Sequence, residues 1–110
     1  MGEPRLKSGI WVQAQLRLCD QNVLACVVVK RGDGDAGQIL IKVNRFAEGC
    51  QVLAKRYTDE GGRAWTVVAD GGEGPCDAYI AREFDIDEDV WVLEIEDPKG
   101  IYLPDGQKPQ

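Results

Sequence analysis

Polar and apolar residues follow a helical period in the first part of the chain. Ser8 stands where an N-cap is expected, and polar side chains such as Gln13 and Arg17 then recur at helical spacing among apolar ones. This pattern predicts a helix over residues 9 to 21.

Four stretches with strand-like composition follow, and the turn sequences between them predict two β-hairpins. Residues 24 to 30 and 38 to 44 flank the turn sequence RGDGDAG and predict the first hairpin. Residues 51 to 57 and 63 to 69 flank TDEGG and predict the second hairpin. Glycine favours both turns because it adopts positive φ without steric cost.

The last third of the chain predicts a second helix and a short closing hairpin. Apolar residues recur every four positions after Pro75, which suits a first helical position, and they predict a helix over residues 75 to 84. Residues 90 to 96 read as a strand, and the turn sequence DPKG then returns the chain at residues 101 to 103. Residues 105 to 110 offer almost nothing apolar to bury, so we expect a frayed tail there.

These elements predict one small α+β domain over residues 1 to 104. The element order is helix, strand, strand, strand, strand, helix, strand, strand. We expect a twisted, mixed and mostly antiparallel sheet of about five or six strands, covered by two helices.

The charge of the chain is acidic and unevenly distributed. The net charge is -6 over 110 residues, yet residues 1 to 63 carry ten Lys or Arg against seven acids, and residues 64 to 110 carry three against twelve. We interpret the two halves as surfaces that attract each other within the fold; two partner-facing surfaces are the alternative. No apolar run reaches the roughly 20 residues that a bilayer requires, and the amino end lacks the apolar core of a secretory signal, so we expect a cytoplasmic protein.

The residue inventory excludes several kinds of catalytic site. The chain has no histidine, so histidine-dependent triads and histidine-based metal sites are excluded. Its four cysteines are scattered without a C-x-x-C pair, which favours reduced, buried thiols over a zinc site. We therefore expect no cofactor.

The densest acidic feature surrounds the last predicted strand. Glu94 and Glu96 share one face of that strand because side chains alternate, and Asp89 and Asp97 lie close by in sequence. Two carboxylates on one face could hold magnesium for chemistry on a phosphate ester. A solvated strand face produces the same pattern, and we favour that interpretation.

Two kinds of residue are candidates for partner binding. The tryptophans are candidates because this residue is enriched at interface hot spots, although in so small a domain it more often fills the core. Basic residues on the predicted strands could contact a phosphate or nucleic acid, but the sequence pI of about 4.6 makes nucleic acid an unfavourable partner. The candidates are Trp11, Trp65, Trp91, Arg31, Lys42 and Arg56.

Short motifs near both ends of the chain resemble a known family. In the first part of the chain they are Arg5-Leu6-Lys7-Ser8, Ile10-Trp11-Val12 and Ala36-Gly37. In the last part they are Arg82-Glu83, Asp87, Asp89, Trp91-Val92, Glu94, Glu96-Asp97 and Gly100. They look like a proteobacterial domain-of-unknown-function family, serial number one-four-nine-one, over the chain from about Arg5 to Leu103. The resemblance implies a short cytoplasmic protein without an assigned activity, and it supplies no catalytic residue.

The function itself remains unknown from the sequence, and the reading we favour is a small non-enzymatic interaction or regulatory module. An acidic chain without histidine, with one serine and two threonines, has more surface for a partner than groups for catalysis. The expected partner is an unidentified protein, and no membrane is expected. The alternatives are a divalent-metal-dependent enzyme acting on a phosphate ester and a binder of phosphate or nucleic acid.

Overall fold

The computed structural model describes residues 6–110 and gives a single α+β domain. No helix within that range has the length and apolar character needed to cross a bilayer. The helices and strands are α1 (Ser8–Gln21), β1 (Ala25–Lys30), β2 (Ile39–Asn44), β3 (Cys50–Tyr57), β4 (Arg63–Gly71), α2 (Glu73–Ile86) and β5 (Trp91–Glu96).

All five strands form one mixed sheet in the order β1, β5, β2, β3, β4. The last strand, β5, lies between the first two: it is antiparallel to β1 and parallel to β2. Strands β2, β3 and β4 follow one another as antiparallel neighbours. The mixed, mostly antiparallel sheet is therefore confirmed, with five strands.

The two helices cover opposite faces of the sheet. On one face, Trp11 and Val12 of α1 pack against Ile41 and Leu93, which are directly opposite each other on β2 and β5. On the other face, Cys76 of α2 packs in a second core cluster with residues of β2 and β3 such as Leu40. Because side chains alternate along a strand, β2 contributes to both cores, and only its ends are partly exposed.

Both predicted helices are confirmed, with a correction at each start. Ser8 is not the N-cap: it is the first residue of α1, and its hydroxyl donates a hydrogen bond to the carbonyl of Gly37 (2.6 Å). Helix α2 begins at Glu73, before Pro75. The hairpin of β3 and β4 is confirmed, with Tyr57 opposite Arg63 beside the turn.

The predicted first hairpin is wrong, because β1 and β2 do not pair. Their connection instead wraps around the start of β5: the backbone N–H of Asp33 donates to the carbonyl of Asp89 (2.9 Å), and the Trp91 indole donates to the carbonyl of Asp33 (2.8 Å). A Cβ added to Gly37 would lie 2.5 Å from that Asp89 oxygen. The glycines thus allow a neighbouring backbone to approach closely. From the sequence alone, glycines with this role look the same as glycines in the tight turn of a hairpin.

The closing hairpin is also wrong, since residues 101 to 103 form no strand. The buried carboxylate of Asp97 accepts the backbone N–H groups of Ile101 and Tyr102, each at 2.9 Å, and so holds this segment as a turn. A carboxylate that bonds the backbone of its own turn offers the chain an alternative to strand pairing.

Residues 105 to 110, where the sequence predicts a frayed tail, make specific contacts with the domain. The Asp105 carboxylate accepts the indole N–H groups of Trp11 and Trp65, both at 2.9 Å. At the end of the segment, Gln110 exchanges two backbone hydrogen bonds with β4, at Trp65 and Val67. Polar contacts hold this segment against the domain. The prediction of a frayed tail considered only how few apolar residues the segment contains, so it did not include these contacts.

Candidate functional site

A cleft of about 380 Å³ lies where the parallel strands β2 and β5 end. Three segments form its walls: the turn between α1 and β1, the connection that follows β2, and the turn that follows β5. In open sheets with parallel strands, ligands commonly bind outside the carboxyl ends of the strands. The volume is within the range of ligand-binding clefts.

Each wall of the cleft exposes a large apolar side chain. Val23 is 92% exposed, Phe46 is 55% exposed and Ile101 is 51% exposed. Glu96 and Lys99 place one carboxylate and one ammonium group at the same cleft. A second hollow of about 160 Å³ shares Leu24 and Ile101 with it, so the apolar surface continues toward α1.

Val23 occupies a backbone position that normally belongs to glycine. Its φ is +58°, in the left-handed region, where a β-branched residue is a genuine outlier. The N–H of Leu24 donates to the carbonyl of Cys19 (2.8 Å), and the N–H of Val23 donates to that of Asp20 (3.2 Å). These are the two bonds of a Schellman motif closing α1, with valine at the position where glycine is usual.

Phe46 on the opposite wall has the same unusual backbone conformation, with φ at +58°. Its N–H donates to the side-chain oxygen of Asn44 (2.9 Å), and its carbonyl accepts from the N–H of Gly49 (3.0 Å). These bonds tie the connection to the end of β2 and hold the ring toward solvent. Two left-handed, exposed apolar residues therefore line one cleft.

The third wall is held by a buried carboxylate and a packed glycine. Asp97 is 1% exposed and bonds the turn that presents Ile101. Gly100, with φ at +68°, lies directly against the guanidinium of Arg45 from the connection after β2. The two turns therefore pack against each other at this point, and the positive φ favours glycine at position 100.

The four carboxylates proposed as metal ligands have separate surroundings. Glu94 lies 3.5 Å from the Lys42 ammonium, Glu96 lines the cleft, and Asp97 bonds its own turn. Asp89 belongs to the loop before β5, where its carbonyl binds Asp33. In the part of the chain that the structure describes, no three His, Cys, Asp or Glu side chains are grouped to hold a metal ion.

Lys42 is buried at 6% exposure and is surrounded by carboxylates. Its ammonium lies 2.9 Å from Glu73, 2.8 Å from Asp77 and 3.5 Å from Glu94. Burial lowers the pKa of Lys42, but hydrogen bonds to Asp77 and Glu73 and the charge of Glu94 outweigh it and hold the pKa above its usual value. This lysine is a charged link between the sheet and α2.

Of the other two basic candidates, Arg56 contacts α2 and Arg31 does not. Arg56 donates to the hydroxyl of Tyr79 (2.7 Å) and to Glu83 (3.3 Å), so α2 engages it as it engages Lys42. The basic first half of the chain and the acidic second half thus meet inside the fold at these residues. Arg31 is exposed, with its guanidinium 5.6 Å from the centre of the Trp91 ring.

The three tryptophans are interior residues. All are at most 9% exposed, and the rings of Trp11 and Trp65 are 5.2 Å apart, centre to centre. Each indole N–H has an acceptor: Asp105 serves Trp11 and Trp65, and the carbonyl of Asp33 serves Trp91. Tryptophan side chains in small domains are more often found in the core than at the surface.

The cysteines are free thiols: three are buried, and Cys26 is half-buried. Burial raises the pKa of Cys50 to about 12 and also raises that of Cys76, whose thiol donates to the carbonyl of Cys50 (3.3 Å). The Cys50 and Cys76 thiols therefore stay protonated at neutral pH, where a thiol is a poor nucleophile.

The residues that distinguish the cleft were not singled out in the sequence. Val23 and Phe46 are apolar residues inside turns, directly after Asn22 and Arg45. An apolar residue at a position that terminates a helix or strand is the one signal that could have found them, since turns usually contain polar residues or glycine.

Two solved structures are similar to this chain in both sequence and fold. A crystal structure of a DUF1491 family protein from Caulobacter crescentus CB15 is 34% identical, covers 86% of this chain and 90% of that chain, and has a TM-score of 0.77. An NMR structure of a DUF1491 family protein from the same organism is 33% identical, covers 89% and 91%, and has a TM-score of 0.76.

A third solved structure shares the fold at lower identity. It is the solution structure of protein Atu0922 from A. tumefaciens, which is 24% identical over 86% of this chain and 87% of that chain, with a TM-score of 0.73. No curated protein matches the chain. A family model described as "Protein of unknown function (DUF1491)" matches residues 6–103, and the chain therefore belongs to the DUF1491 family.

Proposed function

We propose that the protein is a small, cytoplasmic, non-enzymatic interaction module whose cleft binds an apolar segment of a partner protein. The observation that carries the proposal is Val23, a strained and almost fully exposed valine at the mouth of the cleft. Its left-handed backbone lowers the stability of the fold, and its side chain is too exposed to offset that loss by burying apolar surface. Strain of this kind concentrates at functional sites.

The chemistry of the lining favours a protein segment as the occupant. Val23, Phe46 and Ile101 offer apolar contacts from three separate turns, and Glu96 and Lys99 add one charge of each sign. Apolar anchors with a polar rim are the usual composition of a protein interface. The cleft volume of about 380 Å³ suits a few apolar side chains.

The two alternatives have less support from the arrangement of side chains. For the divalent-metal enzyme, Glu94 already pairs with Lys42, and Asp97 is committed to its turn. For the phosphate or nucleic-acid binder, carboxylates of α2 engage Lys42 and Arg56. Arg31 is the one exposed basic residue among the three candidates.

Selection from a peptide display library against the purified protein tests the proposal. We expect enriched peptides with apolar anchors, and the Phe46→Asn variant should bind a synthetic form of them at least about tenfold more weakly. Asparagine tolerates the left-handed backbone, so this variant removes the ring without adding strain. Phe84→Gln, which removes an exposed ring from α2 outside the cleft, is the matched control and should bind normally.

Two results would contradict the proposal. One is a set of enriched peptides that bind wild type and Phe46→Asn equally well. The other is a rise in melting temperature with a divalent metal or a nucleotide, because a ligand that binds only the native state stabilises it; that result would favour the enzyme or phosphate-binding alternative.

A further inference from the structure

The four cysteines form two close pairs, one on each face of the sheet. Cys19 of α1 belongs to the core cluster that α1 covers, and Cys26 of β1 packs against that cluster. A side-chain hydrogen bond joins these two thiols. On the other face, the Cys76 thiol contacts both the carbonyl and the thiol of Cys50. Each pair holds two sulfur atoms close together.

The two pairs differ in exposure and in acidity. Cys50 and Cys76 are 2% and 0% exposed, and burial raises the pKa of both. Cys19 is also buried, but Cys26 is only half-buried, so solvent reaches one sulfur of this pair. The hydrogen bond between them lowers the pKa of Cys26 despite its burial and raises the pKa of Cys19. An accessible thiol of low pKa beside a second thiol is the usual arrangement of a redox-sensitive pair.

The exposed pair brackets the turn that carries Val23. Cys19 lies near the end of α1, Cys26 is the second residue of β1, and residues 20–25 connect them. The N–H of Leu24 in this turn donates to the carbonyl of Cys19 (2.8 Å). Cys19 also lines the hollow of about 160 Å³ that adjoins the cleft. A bond between the two sulfurs would close a covalent ring around the turn, with Val23 inside it.

We propose that Cys19 and Cys26 are a peroxide-sensitive pair that forms a reversible disulfide across this turn. The Cys26 thiolate attacks one oxygen of hydrogen peroxide, the O–O bond breaks, and Cys26 becomes a sulfenic acid while the other oxygen takes up a proton and leaves as water. The Cys19 sulfur then attacks the Cys26 sulfur, the S–O bond breaks, and the thiol proton of Cys19 leaves with the hydroxide as a second water. The two sulfurs are oxidised together by two electrons, and the peroxide is reduced. A dithiol restores both thiols through a mixed disulfide and is itself oxidised to a disulfide.

Treatment of the native protein with hydrogen peroxide, followed by unfolding, alkylation and tryptic mapping, tests the pair. Cleavage after Arg17 and Lys30 places both Cys19 and Cys26 in the peptide of residues 18–30, whereas Cys50 and Cys76 lie in two other peptides. We expect peptide 18–30 to lose two hydrogen atoms and to resist alkylation until dithiothreitol is added, while the other two cysteines are alkylated as before oxidation. A peptide 18–30 that stays fully alkylated, or four cysteines that oxidise to the same extent, would overturn the proposal.

Single substitutions separate the roles of the two sulfurs. Cys19→Ser keeps a hydroxyl donor beside Cys26 but cannot form the disulfide, so peroxide should leave a sulfenic acid on Cys26 that dimedone labels. Cys26→Ala should give no dimedone adduct on Cys19. Cys76→Ala, which removes a buried thiol on the other face, is the matched control and should form the disulfide normally.

The opposite labelling pattern, with an adduct on Cys19 in Cys26→Ala and none on Cys26 in Cys19→Ser, would contradict the assigned roles. The wild-type map depends on no substitution, so it tests the disulfide independently of how the variants fold. No peptide ligand enters either experiment, and the result is therefore separate from the fate of the proposed cleft function.

Discussion

Replacing Val23 by glycine tests whether the cleft is built at the expense of stability. The left-handed conformation costs an L-residue roughly 1–2 kcal/mol, and glycine adopts it freely. Glycine also loses about 0.5–1 kcal/mol through the greater freedom of the unfolded chain. Because Val23 is almost fully exposed, the substitution removes little buried area. The expected net effect of Val23→Gly is a gain of about 1 kcal/mol.

The same chemical change at Val27 provides a control of opposite sign. Val27 is also exposed, but it lies in the regular strand β1, where glycine brings the entropic loss without relieving strain. Val27→Gly should therefore lower the stability by about 1 kcal/mol. Val27 is 59% exposed and Val23 is 92% exposed, so the control also loses some buried area, but only Val23 has a left-handed backbone that glycine would relieve.

Calorimetric melting of both variants gives the measurement. For a domain of this size, 1 kcal/mol shifts the melting temperature by about 4 °C, so Val23→Gly should melt about 4 °C higher and Val27→Gly about 4 °C lower. Val23→Gly should at the same time weaken the binding of peptides selected for the cleft. A Val23→Gly variant that melts at or below the wild-type temperature refutes the reasoning, because the left-handed valine would then carry no cost.

Three further substitutions test contacts that hold the domain together. Asp105→Ala removes the shared acceptor of two indoles and should lower the free energy of unfolding by about 3 kcal/mol, measured by urea denaturation. Burial raises the pKa of Asp105, but the hydrogen bonds from Trp65 and Trp11 and the charge of Lys55 outweigh burial and lower the pKa. The lowered pKa gives the wild-type fold stability that is fully present above the unfolded pKa and is lost as pH falls through the folded pKa. The free energy of unfolding of Asp105→Ala should therefore fall less steeply in acid than that of the wild type. Lys42→Met should lower the free energy of unfolding by about 2 kcal/mol at neutral pH. Because the folded pKa of Lys42 is raised, the greater stability of the wild type should be fully present below the unfolded pKa and should be lost only as pH rises through the folded pKa. Asp97→Ala leaves two turn amides unpaired and should cost about 3 kcal/mol in the same urea assay, with Asp97→Asn losing less because its amide oxygen still accepts one of them.

Features set by neighbouring residues were predictable from the sequence. The period of apolar residues located both helices, and the two glycines after Glu60 located the β3–β4 turn, because those contacts join residues close together in the chain. The prediction that β1 pairs with β2 was wrong for the opposite reason. Its partner β5 begins some sixty residues later, and no local pattern distinguishes a turn that reverses the chain from a loop that wraps around a distant strand.

The candidate site was harder to predict because it depends on backbone conformation. The valine at position 23 lies between the predicted helix over residues 9 to 21 and the predicted strand over residues 24 to 30, and only the structure gives its φ. The carboxylates were visible in the sequence, but their roles were not. Asp97 accepts hydrogen bonds from the backbone of its own turn, while Glu94 forms an ion pair with a lysine on the neighbouring parallel strand. Composition identifies charged groups without identifying what they contact.

One feature of the topology accounts for the cleft. Because β5 lies between β1 and β2, β2 has β5 and not β1 as its neighbour on that side. The same insertion makes β5 parallel to β2, so both strands end at one side of the sheet, where their following turns meet the end of α1 and form the cleft. A chain with β1 and β2 joined as a hairpin would not have the parallel β2–β5 pair, and the turns after these two strands would not meet at one side of the sheet. The cleft is thus a consequence of one strand insertion.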